Sequence, residues 1–228
     1  MGAVHINAVS KSYGEQQALQ NISLSIEQGE LFGLIGPDGA GKSTLFQILT
    51  TLLTPDEGSV SVAGFDTVKD YQRIRRIIGY MPGRFSLYQD LTVEENLNFF
   101  ATIFHTSIEE NYHLIKDIYV QIEPFRKRRA GNLSGGMKQK LALCCALIHQ
   151  PEVLFLDEPT TGVDAVSRAE FWDMLARLKA HQITIIVSTP YMDEASRCER
   201  IALMQDGKVL QVNSPQAIVD SYREPLYE

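Results

Sequence analysis

The sequence lacks features that would each point to a particular class of protein. It has three cysteines in 228 residues; Cys144 and Cys145 are adjacent in an apolar, helix-like run without metal-ligand spacing, and Cys198 stands alone. No apolar run approaches the roughly 18 residues that span a bilayer, and the N-terminus lacks a signal-peptide pattern. We therefore expect a cytoplasmic protein with reduced cysteines, in which any membrane role comes through a partner.

Basic residues are also in short supply. The chain has 21 Lys and Arg against 28 Asp and Glu, a formal net charge of −7, which argues against nonspecific nucleic-acid binding as its main task. Its densest basic run, Arg126–Arg129, is interpreted as a solvated face or loop. Hydrophobic residues make up 44% of the chain, as in an ordinary globular protein. The length allows one large or two small domains, and we expect no nucleic-acid partner.

The most informative stretch fits the pattern G-x-x-x-x-G-K-[ST] between an apolar run and a helix-like segment. Glycines let phosphate oxygens approach the backbone, and successive N–H groups at a helix N-terminus form an anion site. The alternative is a glycine-rich turn that contains Lys and Ser by chance; the strand–loop–helix context argues against it. The predicted phosphate-binding residues are Gly36, Pro37, Asp38, Gly39, Ala40, Gly41, Lys42, Ser43 and Thr44. Lys42 would reach the β- and γ-phosphates, and the Ser43 hydroxyl would ligate Mg²⁺.

Hydrophobic periodicity divides the remaining chain into strands and helices. Alternation over 4–9 and 22–26 predicts two antiparallel strands joined by a loop that holds Tyr13 and Gly14, and residues 59–63 and 77–81 are assigned to the same antiparallel subdomain. The continuous apolar run at 153–156 predicts a parallel strand covered on both faces, and residues 31–35 are predicted as a buried strand and 184–187 as a further strand. Shorter strands are predicted at 201–204 and 208–212.

Residues 83–150 show helical spacing throughout, which predicts an all-helical insert. Thr92 is the predicted N-cap of one of its helices. A further helix is predicted near 168–179. The predicted fold is therefore α/β: a P-loop NTPase core with a mostly parallel sheet, an antiparallel β subdomain and the helical insert.

A second phosphate-transfer element follows the run at 153–156, which ends in Asp157 and Glu158. A carboxylate at the end of a buried strand beside the P-loop would hold Mg²⁺, and Glu158, one residue on, could polarise the attacking water. The alternative is a strand that ends in two solvated acids.

A third element, Leu133-Ser134-Gly135-Gly136, precedes a predicted helix. Ser134 can cap this helix, and the glycines Gly135 and Gly136 expose its N-terminal N–H groups as a second anion site. Because one triphosphate does not need two such sites, this one is expected to address a nucleotide bound to another subunit.

These motifs, together with Gly162-Val163-Asp164, resemble in order and spacing the nucleotide-binding domain of ABC transporters. The segments 37–40, 91–97 and 191–195 are most similar to the ABC-2 exporter branch. The resemblance covers essentially the whole chain, 1–228, as one ABC ATPase domain, with residues 1–82 and 151–228 forming the β subdomain and P-loop core and residues 83–150 forming the helical subdomain.

The resemblance implies a set of roles and partners. Tyr13 would stack on adenine, although a Tyr at the edge of the core is the alternative. Two such domains would form a head-to-tail sandwich with ATP between the P-loop of one and Ser134–Gly136 of the other, and Gly162–Asp164 would lie at the seam. A groove around residues 83–93 would receive a helix from an integral membrane subunit. The chain would act on MgATP at the inner face of the cell membrane, as a peripheral protein.

Two residues depart from the family pattern. The family has Gln where this chain has Gly83 and His where it has Pro190, and both side chains would contact the reacting phosphate or its water. Neither Gly nor Pro offers a polar side chain. Gln89 and Tyr191 are candidate substitutes. Loss of one preorganised donor costs roughly 10²–10³ in rate, so the site at this P-loop is expected to bind MgATP and hydrolyse it slowly, with Glu158 and Lys42 as catalytic residues.

Three hypotheses remain open at this stage. The chain is the impaired half of an asymmetric heterodimer or tandem pair, or a fully active exporter ATPase, or an ABC ATPase with a role outside transport. The first is favoured. The absence of an extra domain after Tyr222–Glu228 fits an excised piece of a longer polypeptide.

Overall fold

The structure is a computed structural model that describes residues 2–221. Residues 222–228, on which the interpretation as an excised piece rests, lie outside the described residues. The strands are β1 (Gly2–Tyr13), β2 (Gln16–Glu27), β3 (Leu31–Ile35), β4 (Glu57–Val62), β5 (Phe65–Asp66), β6 (Ile78–Met81), β7 (Val153–Asp157), β8 (Thr184–Thr189), β9 (Arg200–Gln205) and β10 (Lys208–Asn213).

The first sheet is antiparallel, with the order β2-β1-β4-β5. Its strands β1 and β2 run further than the alternating pattern predicts, because Tyr13 pairs with Gln16 across a tight turn. Gly14 supplies a φ of +59° at this turn, which glycine adopts at little cost. Tyr13 is therefore the last residue of β1 and lies at the tip of a long hairpin, whereas the sequence predicted a loop position.

The second sheet has six strands in the order β10-β9-β3-β8-β7-β6. Its strand pairs are parallel except β9–β10. Every residue of β3, β7 and β8 is buried, as the apolar runs predicted for β3 and β7.

The assignment of residues 77–81 to the antiparallel subdomain is wrong. Ile77 ends a helix, and β6 pairs in parallel with β7 in the second sheet. Gly79 shows why this position suits the strand: a Cβ there would lie 2.3 Å from the Ala146 carbonyl oxygen. The missing side chain lets a helix of the 83–150 segment pack directly on β6.

The α-helices are α1 (Lys42–Leu49), α2 (Tyr71–Ile77), α3 (Val93–Ile103), α4 (Tyr112–Tyr119), α5 (Gly135–Leu147), α6 (Ala165–Leu178), α7 (Met192–Ala195) and α8 (Pro215–Ser221). α2 was not predicted. α6 starts three residues earlier than expected, because the Asp164 side chain accepts hydrogen bonds from the N–H groups of Val166 and Ser167. Among the described residues, no helix is both long and apolar enough to cross a membrane.

The structure describes all of residues 83–150 and places no strand among them; they form α3, α4, α5 and two 3-10 turns. Thr92 caps α3 as predicted, in a capping box with Glu95.

Cys144 and Cys145 are buried in α5 without a disulfide, as expected, and Cys198 is also free. Burial raises the pKa of all three thiols, so they are inert packing residues.

Two apolar clusters support the fold on either side of the six-stranded sheet. One joins that sheet to α3–α6, and the other fills the space between the two sheets around α1. The carboxyl ends of β3, β7 and β8 meet at one edge, where ligands bind in open α/β sheets.

Candidate nucleotide site

The loop between β3 and α1 is shaped by glycines. A Cβ on Gly36 would lie 2.3 Å from the Met204 carbonyl oxygen, and one on Gly41 would lie 2.6 Å from the Ala18 carbonyl oxygen. Gly41 also has a φ of +98°, which L-residues rarely adopt. The loop thus packs its backbone against β2 and β9, and its exposed side is left to backbone N–H groups and the start of α1.

Lys42 is the first residue of α1 and is 97% buried, with 3% of its surface exposed. Its Nζ donates to the carbonyl oxygens of Gly36 (2.8 Å) and Pro37 (3.0 Å). The same nitrogen lies 3.3 Å from Glu158 Oε1. A buried ammonium needs such partners, and these contacts fix the position of the Lys42 ammonium beside the loop.

Ser43 and Asp157, the two predicted Mg²⁺ ligands, meet from the ends of different elements. Ser43 Oγ donates to Asp157 Oδ1 at 3.3 Å, and the Ser188 hydroxyl of β8 donates to the same oxygen. Burial, and secondarily the negative charge of Asp157, raises the pKa of Tyr80 to about 12. Ser188 was not predicted as a site residue; its position one residue before the end of a buried strand is the sequence signal that points to it.

Glu158 lies on a turn directly after β7, in the left-handed region with a φ of +48°. Its backbone N–H donates to the Ser188 carbonyl oxygen (3.1 Å) and the Ser188 hydroxyl (3.0 Å). This conformation costs an L-residue about 1–2 kcal/mol. In this conformation the carboxylate lies beside the Lys42 ammonium.

Lys42, Ser43 and Glu158 face one groove of about 520 Å³, whereas Asp157 does not line it and reaches it only through its hydrogen bond with Ser43. Its lining residues are Tyr13, Gln16, Gln17, Ala18, Gln20, Asp38, Gly39, Gly41, Lys42, Ser43, Thr44, Glu158, Asp206 and Gly207. Tyr13 is 49% exposed at the hairpin tip, so its ring is accessible. The lining residues from β2 and the turn at Asp206 and Gly207 were not predicted from the sequence. This turn contacts the loop through a hydrogen bond from Gly207 N–H to the Ala40 carbonyl oxygen (3.2 Å).

The segment Ser134–Gly136 does not line this groove. Ser134 caps α5 as predicted, and its Oγ accepts a hydrogen bond from Met137 N–H at 3.3 Å. A Cβ on Gly136 would lie 2.9 Å from Ser167 Oγ, so the segment packs beside the start of α6. Ser134 and Gly135 are exposed and Gly136 is half-buried, all three outside this groove.

The two departures from the family pattern lie close to the groove. A Cβ on Gly83 would lie 3.1 Å from the Asp157 carbonyl oxygen and 3.9 Å from Glu158 Cβ. Pro190 follows Thr189, whose carbonyl oxygen accepts a hydrogen bond from Gly36 N–H (3.4 Å). Gly83 therefore adjoins the two acids, and Pro190 follows the residue that contacts the start of the loop.

Neither candidate substitute lines the groove. The Gln89 side chain lies near Gly131, and the Tyr191 ring lies 4.9 Å from the guanidinium carbon of Arg168. The structure thus gives no support to Gln89 or Tyr191 as replacements for the expected Gln and His.

A second concavity of about 380 Å³, named here the lateral groove, lies between α2, β6, α3 and α5. Its lining residues are Thr50, Leu52, Arg75, Ile78, Tyr80, Met81, Pro82, Ser86, Leu87, Phe100, Phe104, Ala142, Cys145, Ala146 and His149. It includes part of the segment 83–93, where the sequence predicted a partner groove.

Comparison with known proteins identifies the family. A model described as "ABC transporter" matches residues 19–161, more than half of the chain. The chain is 37% identical over 223 residues to the Nod factor export ATP-binding protein I of Rhizobium sp. (strain N33), covering 96% of this chain and 73% of that protein. It is 41% identical over 222 residues to the probable multidrug ABC transporter ATP-binding protein YbhF of Escherichia coli (strain K12). That match covers 96% of this chain but spans only 38% of YbhF.

Solved structures agree. CbiO1 from Clostridium perfringens, part of the ABC transporter complex cbiONQ, matches with a TM-score of 0.85 and 26% identity, covering 96% of this chain and 91% of that one. The ATP-binding cassette MJ0796, dimeric and bound to ADP and Pi, matches with a TM-score of 0.83 and 30% identity, covering 93% and 98%. The chain therefore belongs to the ABC transporter family, as one of its ATP-binding ATPase domains.

Proposed function

We propose that the chain is the ATP-binding subunit or domain of an ABC-2 type exporter, peripheral on the cytoplasmic face of the cell membrane. Two similar proteins are named for export or multidrug transport, which supports export as the direction. One observation carries the proposal: Lys42, Ser43, Asp157 and Glu158 converge on one loop, while Ser134–Gly136 lie outside the groove at this loop. Such a chain holds half of each of two nucleotide sites.

The residues present fit MgATP. The Gly36–Gly41 backbone and Lys42 would hold the phosphates, Thr44 would extend this contact, and Tyr13 would stack on adenine. The Ser43 hydroxyl and the Asp157 carboxylate are oxygen ligands of the kind Mg²⁺ prefers, and the bound ion would neutralise charge on the phosphates. Glu158 would accept a proton from the attacking water, while its contact with Lys42 holds the carboxylate in place.

The partner would be a second ABC ATPase domain, in a heterodimer or a tandem chain. The nucleotide site of this partner domain would be completed by Ser134, Gly135 and Gly136 of our chain, at a dimer seam that contains Gly162–Asp164. The dimeric state of MJ0796 supports the head-to-tail pair, and the 62% of YbhF beyond the matched 38% leaves room for a tandem unit. Within the domain, residues 83–150 would move as a helical subdomain, and a membrane subunit would occupy the lateral groove.

Hydrolysis at this chain's own P-loop would be slow, because Gly83 places no donor beside Asp157 and Glu158, and Pro190 offers none at the end of β8. We expect the double variant Gly83→Gln with Pro190→His to raise ATP turnover by roughly 10²-fold or more, since each restores one preorganised donor. Gly83 has no left-handed φ and its closest clash is 3.1 Å, so a small shift admits the side chain. Phosphate release is measured with the purified chain.

The matched control is Gly131→Gln, a glycine outside both grooves, which should leave turnover unchanged. Wild-type turnover in the ordinary enzyme range of about 1–10³ s⁻¹ would overturn the impaired-site proposal and favour a fully active exporter ATPase. Purification of the chain without any membrane protein from its native host would favour a role outside transport.

A further inference from the structure

Two histidines from distant parts of the chain lie side by side at the surface. The ring centroids of His113 and His181 are 6.2 Å apart, and the ring planes are inclined by 55°. His113 is the second residue of α4, and His181 ends a 3-10 turn between α6 and β8. Both side chains are exposed, and neither lines the nucleotide groove or the lateral groove. The function proposed for the chain therefore gives this pair no role.

The two rings share a depression of about 320 Å³, named here the histidine depression. Its lining includes His113, Leu114, Gln150, Glu152, His181 and Ile183. Leu114 and Ile183 are buried and belong to the apolar cluster that joins the six-stranded sheet to α3–α6. Each histidine thus lies within two residues of a side chain fixed in the core, so both rings are attached to well-packed backbone.

The separation of the rings suits one shared metal ion. Imidazole nitrogens bind Zn²⁺ at about 2.0–2.1 Å, which puts the centroids of two imidazoles on one ion roughly 5–6.5 Å apart. The observed 6.2 Å falls within this range. Imidazole is a ligand that Zn²⁺, Cu²⁺ and Ni²⁺ favour, whereas Mg²⁺ prefers oxygen. The pair therefore selects a transition metal over the Mg²⁺ that accompanies ATP.

A lone pair of His113 is available in the depression. His113 Nε2 lies 3.2 Å from the side-chain nitrogen of Gln150, which lines the same depression. An amide nitrogen only donates, so Nε2 accepts this hydrogen bond and the ring proton is on Nδ1. A metal ion would take the place of the amide hydrogen, because both bind the same lone pair.

The charges around the depression favour a cation. Glu152 lines it and forms no ion pair within residues 2–221. Arg177 and Lys179, which precede His181, each lie within 4 Å of a carboxylate other than Glu152. Lys116 on α4 does not line the depression. A bound cation would therefore face one unpaired carboxylate and no unpaired cation from the lining.

We propose that His113 and His181 bind one divalent transition metal ion, Zn²⁺ or an ion of the same class, and that this ion ties α4 to the turn before β8. No three His, Cys, Asp or Glu side chains in residues 2–221 are arranged to hold an ion, so water completes the coordination. Such an open site binds reversibly and responds to the free metal concentration. The tie would also oppose movement of residues 83–150, and this consequence alone rests on the proposed function.

Binding is measured by titration calorimetry of the purified, nucleotide-free chain with Zn²⁺, using an affinity tag without histidine. Wild type should bind one ion with a Kd on the order of 10 µM, weaker than a structural site with four ligands. His113→Asn and His181→Asn should each weaken binding at least tenfold, because loss of a residue that only orients a ligand already costs about 10–100-fold. The matched control is His105→Asn, an exposed histidine outside the depression, which should bind as wild type does.

Adventitious surface binding only is the result that would overturn the proposal. It would appear as equal affinities of wild type and both variants, or as the same loss in His105→Asn. Electron paramagnetic resonance with Cu²⁺ is the second measurement. Wild type should show coupling to two imidazole nitrogens and each variant to one, and a single nitrogen in wild type would also overturn the shared site. Thermal unfolding without metal verifies that the variants are folded.

The ligating atom is tested through Gln150. Gln150 has a φ of +54°, which glycine adopts at little cost, so Gln150→Gly removes the competing donor without backbone strain. Zn²⁺ should then bind about two- to tenfold more tightly, by the net worth of one hydrogen bond. Unchanged affinity would overturn the assignment of His113 Nε2 as the ligand.

Hydrogen exchange tests the tie. Saturating Zn²⁺ should slow amide exchange in both 112–119 and 179–182 of wild type, and in neither segment of the two histidine variants. Slower exchange in only one segment would overturn the tie. If Zn²⁺ does not bind, the metal site fails and the transport role stands. If it binds and protects both segments but MgATP changes exchange in residues 83–150 equally with and without Zn²⁺, the effect on movement fails and the metal site stands.

Discussion

At the scale of single residues, the conformation of the loop between β3 and α1 depends on positions at which a Cβ would be strained or would clash. Gly39 and Gly41 both have left-handed backbone, with φ values of +82° and +98°. A Cβ on Gly39 would meet no atom within 4 Å, whereas one on Gly41 would meet the Ala18 carbonyl oxygen at 2.6 Å. The P-loop pattern allows any residue at position 39 and requires glycine at position 41. The close contact at Gly41 is a steric reason for this requirement.

The pair allows backbone strain to be separated from close packing. Gly39→Ala should cost about 1–2 kcal/mol of unfolding free energy, the ordinary penalty of left-handed backbone. Gly41→Ala should cost that amount and a further 1–3 kcal/mol or so, because the new methyl group displaces β2 from the loop. Urea unfolding of both variants measures the difference, and equal costs would contradict a role for the close contact.

At the scale of secondary-structure elements, the junction of α5 with β6 contains a buried imidazole. His149 Nε2 lies 2.8 Å from the Ile78 carbonyl oxygen, so this nitrogen carries the proton. The ring stacks on Phe104 with centroids 3.7 Å apart. Burial lowers the pKa of His149, and the hydrogen bond to Ile78 offsets this in part. The neutral ring thus joins the helical segment to the edge of the main sheet.

His149 should make stability depend on pH. The unfolded chain takes up a proton near the ordinary pKa of 6.5 and the folded chain only at lower pH, so acid favours unfolding. The contribution of His149 is present above about pH 6.5 and is lost as the pH falls towards its folded pKa. We expect the unfolding free energy of wild type to fall more steeply between pH 7 and pH 5 than that of His149→Gln.

The control for this pH dependence is His105→Gln, since His105 is exposed. Its pH profile should follow that of wild type. If both substitutions flatten the profile equally, the acid sensitivity does not come from the buried ring.

At the scale of the whole molecule, one buried carboxylate connects segments that are distant in sequence. Glu194, 3% exposed, accepts hydrogen bonds from the hydroxyls of Thr160 (2.7 Å) and Thr189 (2.6 Å). Arg168 Nε lies 3.7 Å from the same carboxylate. Thr160 follows the site's acids, and Thr189 ends the strand that supports Gly36. Glu194 therefore fixes the segment after Glu158 relative to the end of β8.

Removing this carboxylate should be costly. Glu194→Ala leaves two buried hydroxyls without their acceptor, at about 1–3 kcal/mol for each group. Glu194→Gln keeps one oxygen acceptor in nearly the same volume, so it should lose about half as much. Chemical denaturation compares the two variants. A loss from Ala without any loss from Gln would show that packing volume, and not the hydrogen bonds, explains the effect.

The sequence by itself determined the features that depend on local chemistry. The P-loop, the strand ending in Asp157, the caps at Thr92 and Ser134 and the buried strands all follow from residue type and periodicity, because these act over a few neighbouring positions. The sequence also identified Gly83 and Pro190 as departures from the family pattern.

Only the tertiary structure decided what depends on contacts between distant segments. It moved β6 into the parallel sheet, because Gly79 admits α5, and it placed Tyr13 at a hairpin tip through its pairing with Gln16. It brought Ser188 to Asp157 and Glu194 to Thr160, and it separated Ser134–Gly136 from the groove that holds Lys42. Local patterns carry no information about which elements pack together, so these relations emerge only when the two apolar clusters form.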